Sequence, residues 1–211
     1  MENTRNTQST QRQGEPAEIG EHAALVVVDV QKGFGDPVNV SRGRNNPAAE
    51  GNIAALLEVW QNTGRPVVLV RHDSREAGSP LRPGGEGNDF QDFVAERRGK
   101  GAGPELLVQK SVHSSFLGTP DLREWLDRQG IGQIVVVGIQ TNGCVETTAR
   151  MGGNLGYDLL VPLDATYTFG EAGPDGEWMT AEELARATAV SLHALGFARV
   201  VRTAEVVAAA G

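Results

Sequence analysis

The stretch QIVVVGIQTNGCVETTARMGGNLGYDLLVP, residues 133–162, decides the fold. It opens with an apolar run rich in valine, passes through a turn of glycine, threonine and asparagine, continues with a segment of small residues, and ends in a second apolar run. Short apolar runs between turn residues are typical of strands that are buried on both faces of a parallel sheet. Two parallel strands need a crossover connection, usually a helix. We therefore predict a strand, a helix and a second parallel strand here.

The same alternation extends in both directions from this unit. Further apolar runs occupy residues 23–30, 65–72, 105–110 and 198–203, and helices are indicated at 46–64, 119–130 and 180–196. In the second of these helices we expect Thr119 as the N-cap and Pro120 as the first helical residue. The pattern predicts an α/β fold, a doubly wound and mostly parallel sheet of about six strands with helices on both faces. Residues 21–211 form a single domain in this prediction, and the polar residues 1–20 form a disordered arm.

Composition excludes several classes of function. The 211-residue chain has a formal net charge of −8 and no stripe rich in Lys or Arg, which argues against nucleic-acid binding. No apolar run approaches the roughly 18 residues of a membrane span, and the polar N-terminal stretch lacks the apolar region of a signal peptide. Because a single cysteine cannot form an internal disulfide, nothing favours an oxidising compartment. We expect a cytoplasmic protein that binds neither nucleic acid nor membrane.

Three reactive side chains follow three different predicted strands. Asp29 comes near the end of the first apolar run, Lys110 ends the third, and Cys144 lies just past the fourth. Ligands of open parallel sheets bind outside the carboxyl ends of the strands, so these three side chains can meet at one edge of the sheet. Each also has a simpler interpretation. An aspartate can cap a helix, a lysine is commonly solvated, and a lone cysteine is commonly a small buried residue.

The position of Cys144 at a turn from strand to helix favours a reactive thiol. We expect the positive end of the following helix and a nearby lysine ammonium to lower the pKa of this thiol from about 8.5 toward neutrality.

Gly152 and Gly153 lie inside the same helix and cost up to about 1 kcal/mol each relative to alanine. Close packing of the helix against the sheet is the expected compensation.

Three segments carry a resemblance to a known family. LVVVDVQKGF (25–34), KSVHSSFLGT (110–119) and VVVGIQTNGCVETTARMGGNLGYDLLVPLDA (135–165) resemble the signature regions of the isochorismatase-like cysteine hydrolases. That family includes nicotinamidases, N-carbamoylsarcosine amidohydrolase and streptothricin hydrolase, and the likeness runs from about residue 23 to 207. The resemblance implies a Rossmann-like three-layer sandwich and an amidohydrolase without a cofactor.

The resemblance also implies roles for individual residues. Asp29, Lys110 and Cys144 fall on the catalytic triad of the family, with Cys144 as the nucleophile. The peptide bond between Ile139 and Gln140 falls on the family's non-proline cis bond, and the backbone N–H groups of Gln140 and Cys144 fall on its oxyanion hole. The implied reaction cleaves an amide, lactam or ureido C–N bond of a small molecule through a thioester. Asp29 would serve as the base for both the thiol and the hydrolytic water.

Departures from the family pattern and rival motifs narrow the prediction. Metal-dependent nicotinamidases place an Asp-x-His pair and further histidines after the second strand, whereas this chain reads His72, Asp73, Ser74, so we expect no metal. Members that cleave the enol ether of isochorismate lack the cysteine, so Cys144 favours amide hydrolysis. An isochorismatase-type or catalytically silent binding member remains the alternative. A serine hydrolase that uses Ser114 or Ser115 with His113 is rejected because no Gly-x-Ser-x-Gly elbow is present. A dinucleotide-binding enzyme is rejected because no Gly-x-Gly-x-x-Gly motif follows the first strand.

The substrate contacts are predicted from loop positions. The candidates are Gln31, Phe34, His72, Phe116 and Trp178. The long Gly/Pro-rich segment 73–104 is expected to be a lid or binding loop with a helical turn near 89–97. Tyr167, Phe169 and Trp178 flank a second loop and could cover the site or a subunit interface. We expect Asp164 to order the loop at the edge of the sheet. The expected partners are a small amide substrate and further copies of the chain in a homo-oligomer.

Overall fold

The computed structural model describes residues 17–211. Its nine strands are β1 (Ala24–Val28), β2 (Val67–His72), β3 (Glu105–Lys110), β4 (Gln133–Ile139), β5 (Asp158–Pro162), β6 (Thr166–Tyr167), β7 (Glu171–Ala172), β8 (Trp178–Met179) and β9 (Arg199–Val201). The α-helices of this part of the chain are α1 (Pro37–Ser41), α2 (Ala49–Thr63), α3 (Asp92–Ala95), α4 (Leu122–Arg128), α5 (Glu146–Asn154), α6 (Ala181–Ala194) and α7 (Thr203–Ala210). None of the helices within residues 17–211 has the length and hydropathy of a membrane span.

The central sheet is parallel and doubly wound. Six strands follow the order β3-β2-β1-β4-β5-β9, and the two-residue β6 also pairs with β4. This confirms the predicted fold class, with β6 as a seventh strand too short to give an apolar run. The antiparallel hairpin β7-β8 replaces part of the loop expected between residues 167 and 180. The chain runs outward from β1 to β3 and then returns to β4, so the direction of winding reverses between β1 and β4.

Two apolar layers enclose the sheet. Alternate residues of β1 face opposite layers, because successive side chains of a strand point to opposite faces. Helices α2, α3 and α7 cover one face, and α4, α5 and α6 cover the other. Burial of each large aliphatic side chain contributes about 1.5–3 kcal/mol to folding, so a strand as uniformly buried as β1 is a strong anchor for the residues that follow it.

Helix α5 packs closely through its two glycines. A Cβ atom on Gly152 would lie 2.6 Å from Leu159 of β5 and 3.1 Å from the Phe116 ring, and one on Gly153 would lie 2.6 Å from the Phe197 carbonyl oxygen. The close packing expected against the sheet is present at Gly152, and Gly153 packs equally closely against the segment between α6 and β9. It accounts for two residues of low helix propensity inside a helix.

Two predicted boundaries are corrected. Helix α4 begins at Leu122, and its N-cap is Asp121, whose carboxylate accepts the Glu124 N–H, rather than Thr119. Thr119 instead forms a two-hydrogen-bond bridge with Gln109, which holds it outside the helix. At the N-terminus, residues 1–16 of the predicted arm lie outside the described residues. Residues 17–20 pack against the domain, with Ala17 buried, so the ordered domain begins at least four residues earlier than residue 21.

The segment 73–104 is tied to the end of β2. The Asn88 side chain is buried and donates to the carbonyl oxygens of His72 and Leu81 and to the Asp73 carboxylate. A helical turn near residues 89–97 is confirmed by α3. The segment thus lies against the same edge of the sheet at which His72 ends β2.

Candidate active site

The predicted reactive residues lie where the winding of the sheet reverses. Asp29 follows β1 and Cys144 follows β4, and these two strands are neighbours with Val28 opposite Gly138. Lys110 is the last residue of β3 and His72 the last residue of β2. The gap outside the carboxyl ends of strands at such a reversal is the usual ligand site of a doubly wound sheet.

The ammonium group of Lys110 brings the reactive side chains together. Its Nζ lies 2.5 Å from Asp29 Oδ2, 3.3 Å from Cys144 Sγ and 3.2 Å from His72 Nδ1. An ammonium has three N–H donors, so these three acceptors can use all of them. The side chains of Lys110 and Asp29 are fully buried, and Cys144 is 8% exposed. The convergence of Asp29, Lys110 and Cys144 expected from the sequence is present in the structure.

Asp29 has an unusual backbone and an unpaired oxygen. Its φ of 53° lies in the left-handed region, which is uncommon for residues other than glycine and is tolerated best by Asn and Asp. Its N–H donates to the Val70 carbonyl at 2.9 Å, which fixes this turn to β2. The Oδ1 atom is buried and has no hydrogen-bond partner among residues 17–211. Because no donor from the described part of the chain occupies it, this buried carboxylate oxygen can accept a proton.

The turn that carries Cys144 is fixed by close backbone packing. Gly138 has φ 120°, and a Cβ atom there would lie 2.0 Å from the Val28 carbonyl oxygen, so only glycine lets β4 approach β1 this closely. The Ile139–Gln140 peptide bond is cis. The Gln140 carbonyl then accepts the N–H groups of Gly143 and Val145 in a wide turn that precedes α5. Cys144 lies inside this turn.

The resting thiol of Cys144 is protonated. Its pKa is raised from 9.0 to about 12, with burial as the largest cause; the Asp29 carboxylate adds to the rise, and the Lys110 ammonium opposes it. The expected shift toward neutrality is therefore wrong, because burial and the neighbouring negative charge outweigh the ammonium. Nucleophilic attack by this sulfur requires a base that removes the proton as the new bond forms.

Two imidazole rings flank the thiol and the ammonium. Burial lowers the pKa of the half-buried His72, and the Lys110 ammonium adds to this effect, so His72 is neutral and its Nδ1 can accept from Lys110. The exposed His113 places Nδ1 3.5 Å from Cys144 Sγ. The sequence motifs point to His113 only as a partner of a serine nucleophile. Its position three residues after Lys110 was the available signal.

Comparisons with known proteins identify the family of the chain. The isochorismatase domain model matches residues 23–205. The chain belongs to the isochorismatase family. The isochorismatase family protein YrdC of Bacillus subtilis is 37% identical over 173 residues, covering 82% of this chain and 88% of that protein. Nicotinamidase 3 of Arabidopsis thaliana is 30% identical over 190 residues, covering 85% and 84%. A crystal structure of an isochorismatase-family protein from Chromobacterium violaceum ATCC 12472 superposes with a TM-score of 0.84 at 34% identity, covering 93% of this chain and 97% of that one.

In this isochorismatase-family chain, two predicted substrate contacts have packing roles instead. The buried Gln31 side chain donates to the carbonyl oxygens of His72 and Asn88 and accepts the His72 N–H at 2.8 Å. It therefore holds the end of β2 in place. Phe116 is 6% exposed and stacks on Tyr157 with ring centroids 5.7 Å apart, in the core beneath α5. Gln31 thus supports His72, and Phe116 belongs to the core.

Three of the remaining aromatic candidates pack together on the face of the sheet that α2, α3 and α7 cover. Phe34 stacks on the buried Phe169 with centroids 6.5 Å apart, and Tyr167 meets the same ring edge-on. Tyr167 and Phe169 belong to the core of the chain itself rather than to an exposed cover or interface. Trp178 is half exposed on the β7-β8 hairpin and packs against Gly170. Its contact with substrate stays a prediction, as do those of Phe34 and His72.

Asp164 orders the loop after β5, as expected. Its Oδ1 accepts the backbone N–H and the hydroxyl of Thr203, both at 2.8 Å, and so ties this loop to the start of α7.

A metal ion would have to compete with Lys110. Within the described residues, one cluster of acidic, His and Cys side chains has its donor atoms within 4.8 Å of one another, and it consists of Asp29, His72 and Cys144. The Lys110 ammonium lies within hydrogen-bond distance of all three. These three groups thus already contact one cation, the Lys110 ammonium.

Proposed function

We propose that this protein is a cysteine-dependent amidohydrolase that cleaves an amide, lactam or ureido C–N bond of a small molecule through a thioester. The observation that carries the proposal is the buried Lys110 ammonium between the Asp29 carboxylate and the Cys144 sulfur. A carboxylate base, a thiol and a fixed positive charge are the parts that nucleophilic acyl transfer needs. The similarity to a nicotinamidase supports an amide as the substrate.

In the acylation step, Cys144 attacks the substrate carbonyl while its proton moves to Asp29. The sulfur–carbon bond forms, and the negative charge on the carbonyl oxygen is taken up by the backbone N–H groups of Gln140 and Cys144. A donor of this kind lowers the barrier by roughly 3 kcal/mol in other acyl-transfer enzymes. The C–N bond then breaks, and the proton on Asp29 passes to the departing nitrogen. Lys110 remains charged throughout, and its ammonium stabilises whichever of Asp29 and Cys144 carries the negative charge.

The high pKa of the thiol is compatible with this order of events. A thiol with a pKa of about 12 carries its proton at neutral pH, so the attack needs a base that accepts this proton. The unpaired Oδ1 of Asp29 offers an acceptor that no other described residue occupies. Water then attacks the thioester carbonyl, the C–S bond breaks, and the carboxylic product leaves with the thiol restored.

The test is a screen for amine release by the wild-type protein beside Cys144→Ala and Cys144→Ser. The substrates are nicotinamide, carbamoyl amines, ureido acids and lactam antibiotics. We expect at least one class to be hydrolysed by the wild type only, while both variants keep the wild-type thermal unfolding midpoint within a few degrees. Equal release by Cys144→Ala, or a wild type that turns over none of these classes, would contradict the proposal and favour a binding member of the fold.

A further inference from the structure

His113 is placed differently from the other groups that touch the thiol. Asp29 and Lys110 are fully buried beneath the sulfur, whereas His113 is exposed and its Nδ1 lies 3.5 Å from Cys144 Sγ. The other nearby imidazole, His72, has its Nδ1 against the Lys110 ammonium. His113 is therefore the imidazole on the solvent side of the sulfur.

The loop that carries His113 is fixed at both ends and in the middle. Gln109 and Thr119 close the loop with two backbone hydrogen bonds of 2.9 and 2.8 Å. The N–H of Ser115 donates to the Thr148 hydroxyl at 3.0 Å, and the two hydroxyl groups are also 3.0 Å apart.

A second tie joins the same loop to α5. The Ser114 hydroxyl lies 3.0 Å from the Met151 sulfur. Thr148 and Met151 are on α5, which begins two residues after Cys144. The imidazole and the thiol are thus held by two segments that are bonded to each other.

Hydrolysis of the thioester needs a water that comes from solvent and loses a proton. Asp29 lies on the inner side of the sulfur, where its Oδ2 is paired with Lys110. Resting on the amidohydrolase function proposed above, we infer that His113 is the general base of the deacylation step. Two different bases then act. Asp29 accepts the thiol proton in acylation from the buried side of the sulfur, and His113 accepts the proton of water in deacylation from the exposed side.

The proposed step balances without another reactant. His113 Nδ1 takes one proton from water as the water oxygen bonds to the thioester carbon. The C–S bond breaks, and its electron pair returns to sulfur, where the Lys110 ammonium stabilises the thiolate. The imidazolium then returns its proton to Cys144 Sγ, which restores the thiol and the neutral ring. The net change is thioester plus water to carboxylic acid plus thiol.

The experiment separates acylation from deacylation with p-nitrophenyl acetate, which forms the acetyl thioester and releases p-nitrophenol. Stopped-flow absorbance follows the burst and the steady state, and intact-protein mass follows the acetyl group. The variants are His113→Ala and His113→Asn, and the control is His22→Asn, an exposed histidine before β1 at the opposite end of the sheet. Loss of a general base typically slows a step by about 10²–10⁴-fold.

We expect both His113 variants to keep the burst, accumulate acetylated Cys144 and deacylate at least about 10²-fold more slowly than the wild type and the control. Added imidazole should increase the deacylation rate of acetylated His113→Ala by a larger factor than it increases that of the acetylated wild type. Wild-type deacylation in His113→Asn, where an amide restores polarity but not basicity, would overturn the inference. So would equal slowing of burst and deacylation. Failure of the wild type both to form acetyl-Cys144 and to release amine from any of the substrate classes screened above would instead overturn the amidohydrolase function itself.

Discussion

Lys110 Nζ and Asp29 Oδ2 form an ion pair of 2.5 Å between two side chains that have no exposure to solvent. Removing both charges from water costs several kcal/mol per ion, and their attraction offsets this cost only when the geometry is good and further hydrogen bonds are made. Here the ammonium adds bonds to Cys144 and His72. Apolar residues of similar volume often give equal or greater stability at such positions, so the pair is weak evidence for a stabilising role.

Lys110→Met should be strongly destabilising because it leaves the Asp29 carboxylate buried without a counter-charge. We expect the free energy of unfolding to fall by about 3–5 kcal/mol, measured by urea denaturation. The double variant Asp29→Asn/Lys110→Met should recover most of this loss while remaining inactive, and asparagine also tolerates the left-handed backbone of residue 29.

The matched control for that experiment is Lys32→Met. Lys32 pairs with Asp92 at 2.9 Å, but the Asp92 side chain is 79% exposed. An exposed pair contributes little to stability, so this variant should unfold close to the wild type. Equal losses for Lys110→Met and Lys32→Met would show that the Asp29 carboxylate is not buried and charged.

Gly138→Ala should break the contact between β1 and β4 from which Asp29 and Cys144 project. The new Cβ atom would lie 2.0 Å from the Val28 carbonyl oxygen, and φ 120° is strained for any residue with a side chain. We expect a loss of unfolding free energy of about 3 kcal/mol or more, together with loss of activity. Gly132→Ala has open space around it and should change stability by no more than about 0.5 kcal/mol. A native-like Gly138→Ala would contradict the close approach of the two strands.

The sheet and the convergence of Asp29, Lys110 and Cys144 follow from local sequence patterns. Valine-rich runs separated by helical segments specify a parallel sheet, and parallel strands bring their carboxyl ends to one edge. A residue just after such a run is placed at that edge whatever the details of packing. This is why three residues distant in sequence could be assigned to one site.

Burial and loop anchoring could not be predicted in the same way. The direction of the pKa shift of Cys144 depends on how completely the thiol is excluded from water, which no local pattern encodes. The position of His113 depends on the tie between Ser115 and Thr148, two residues 33 positions apart. The roles of Gln31 and Phe116 likewise depend on neighbours supplied by distant segments.

Alkylation of Cys144 by iodoacetamide should report a protonated thiol. Because the pKa is about 12 in the folded protein, the rate should rise about tenfold per pH unit from pH 7 to 10 without levelling off. The chain has one cysteine, so the same protein unfolded in urea is the control, and its rate should level off near pH 9. Mass spectrometry of quenched samples gives both rates. A folded-state rate that saturates near neutrality would restore the original expectation of a thiolate at rest.

Acid should destabilise the protein in part through His72. Burial and the Lys110 ammonium lower the pKa of His72 from 6.5, and His113 adds to this effect. The negative charges of Asp29 and Asp73 act in the opposite direction and raise it. The unfolded chain therefore binds a proton at this residue before the folded protein does, so stability falls as pH drops below about 6.5 and stops falling below the folded-state pKa. His72→Asn should lose less unfolding free energy between pH 7 and 5 than the wild type, measured by urea denaturation at each pH. His22→Asn, at the opposite end of the sheet, is the control for removing a histidine as such. Identical slopes for wild type and His72→Asn would show that His72 is not held neutral by its surroundings.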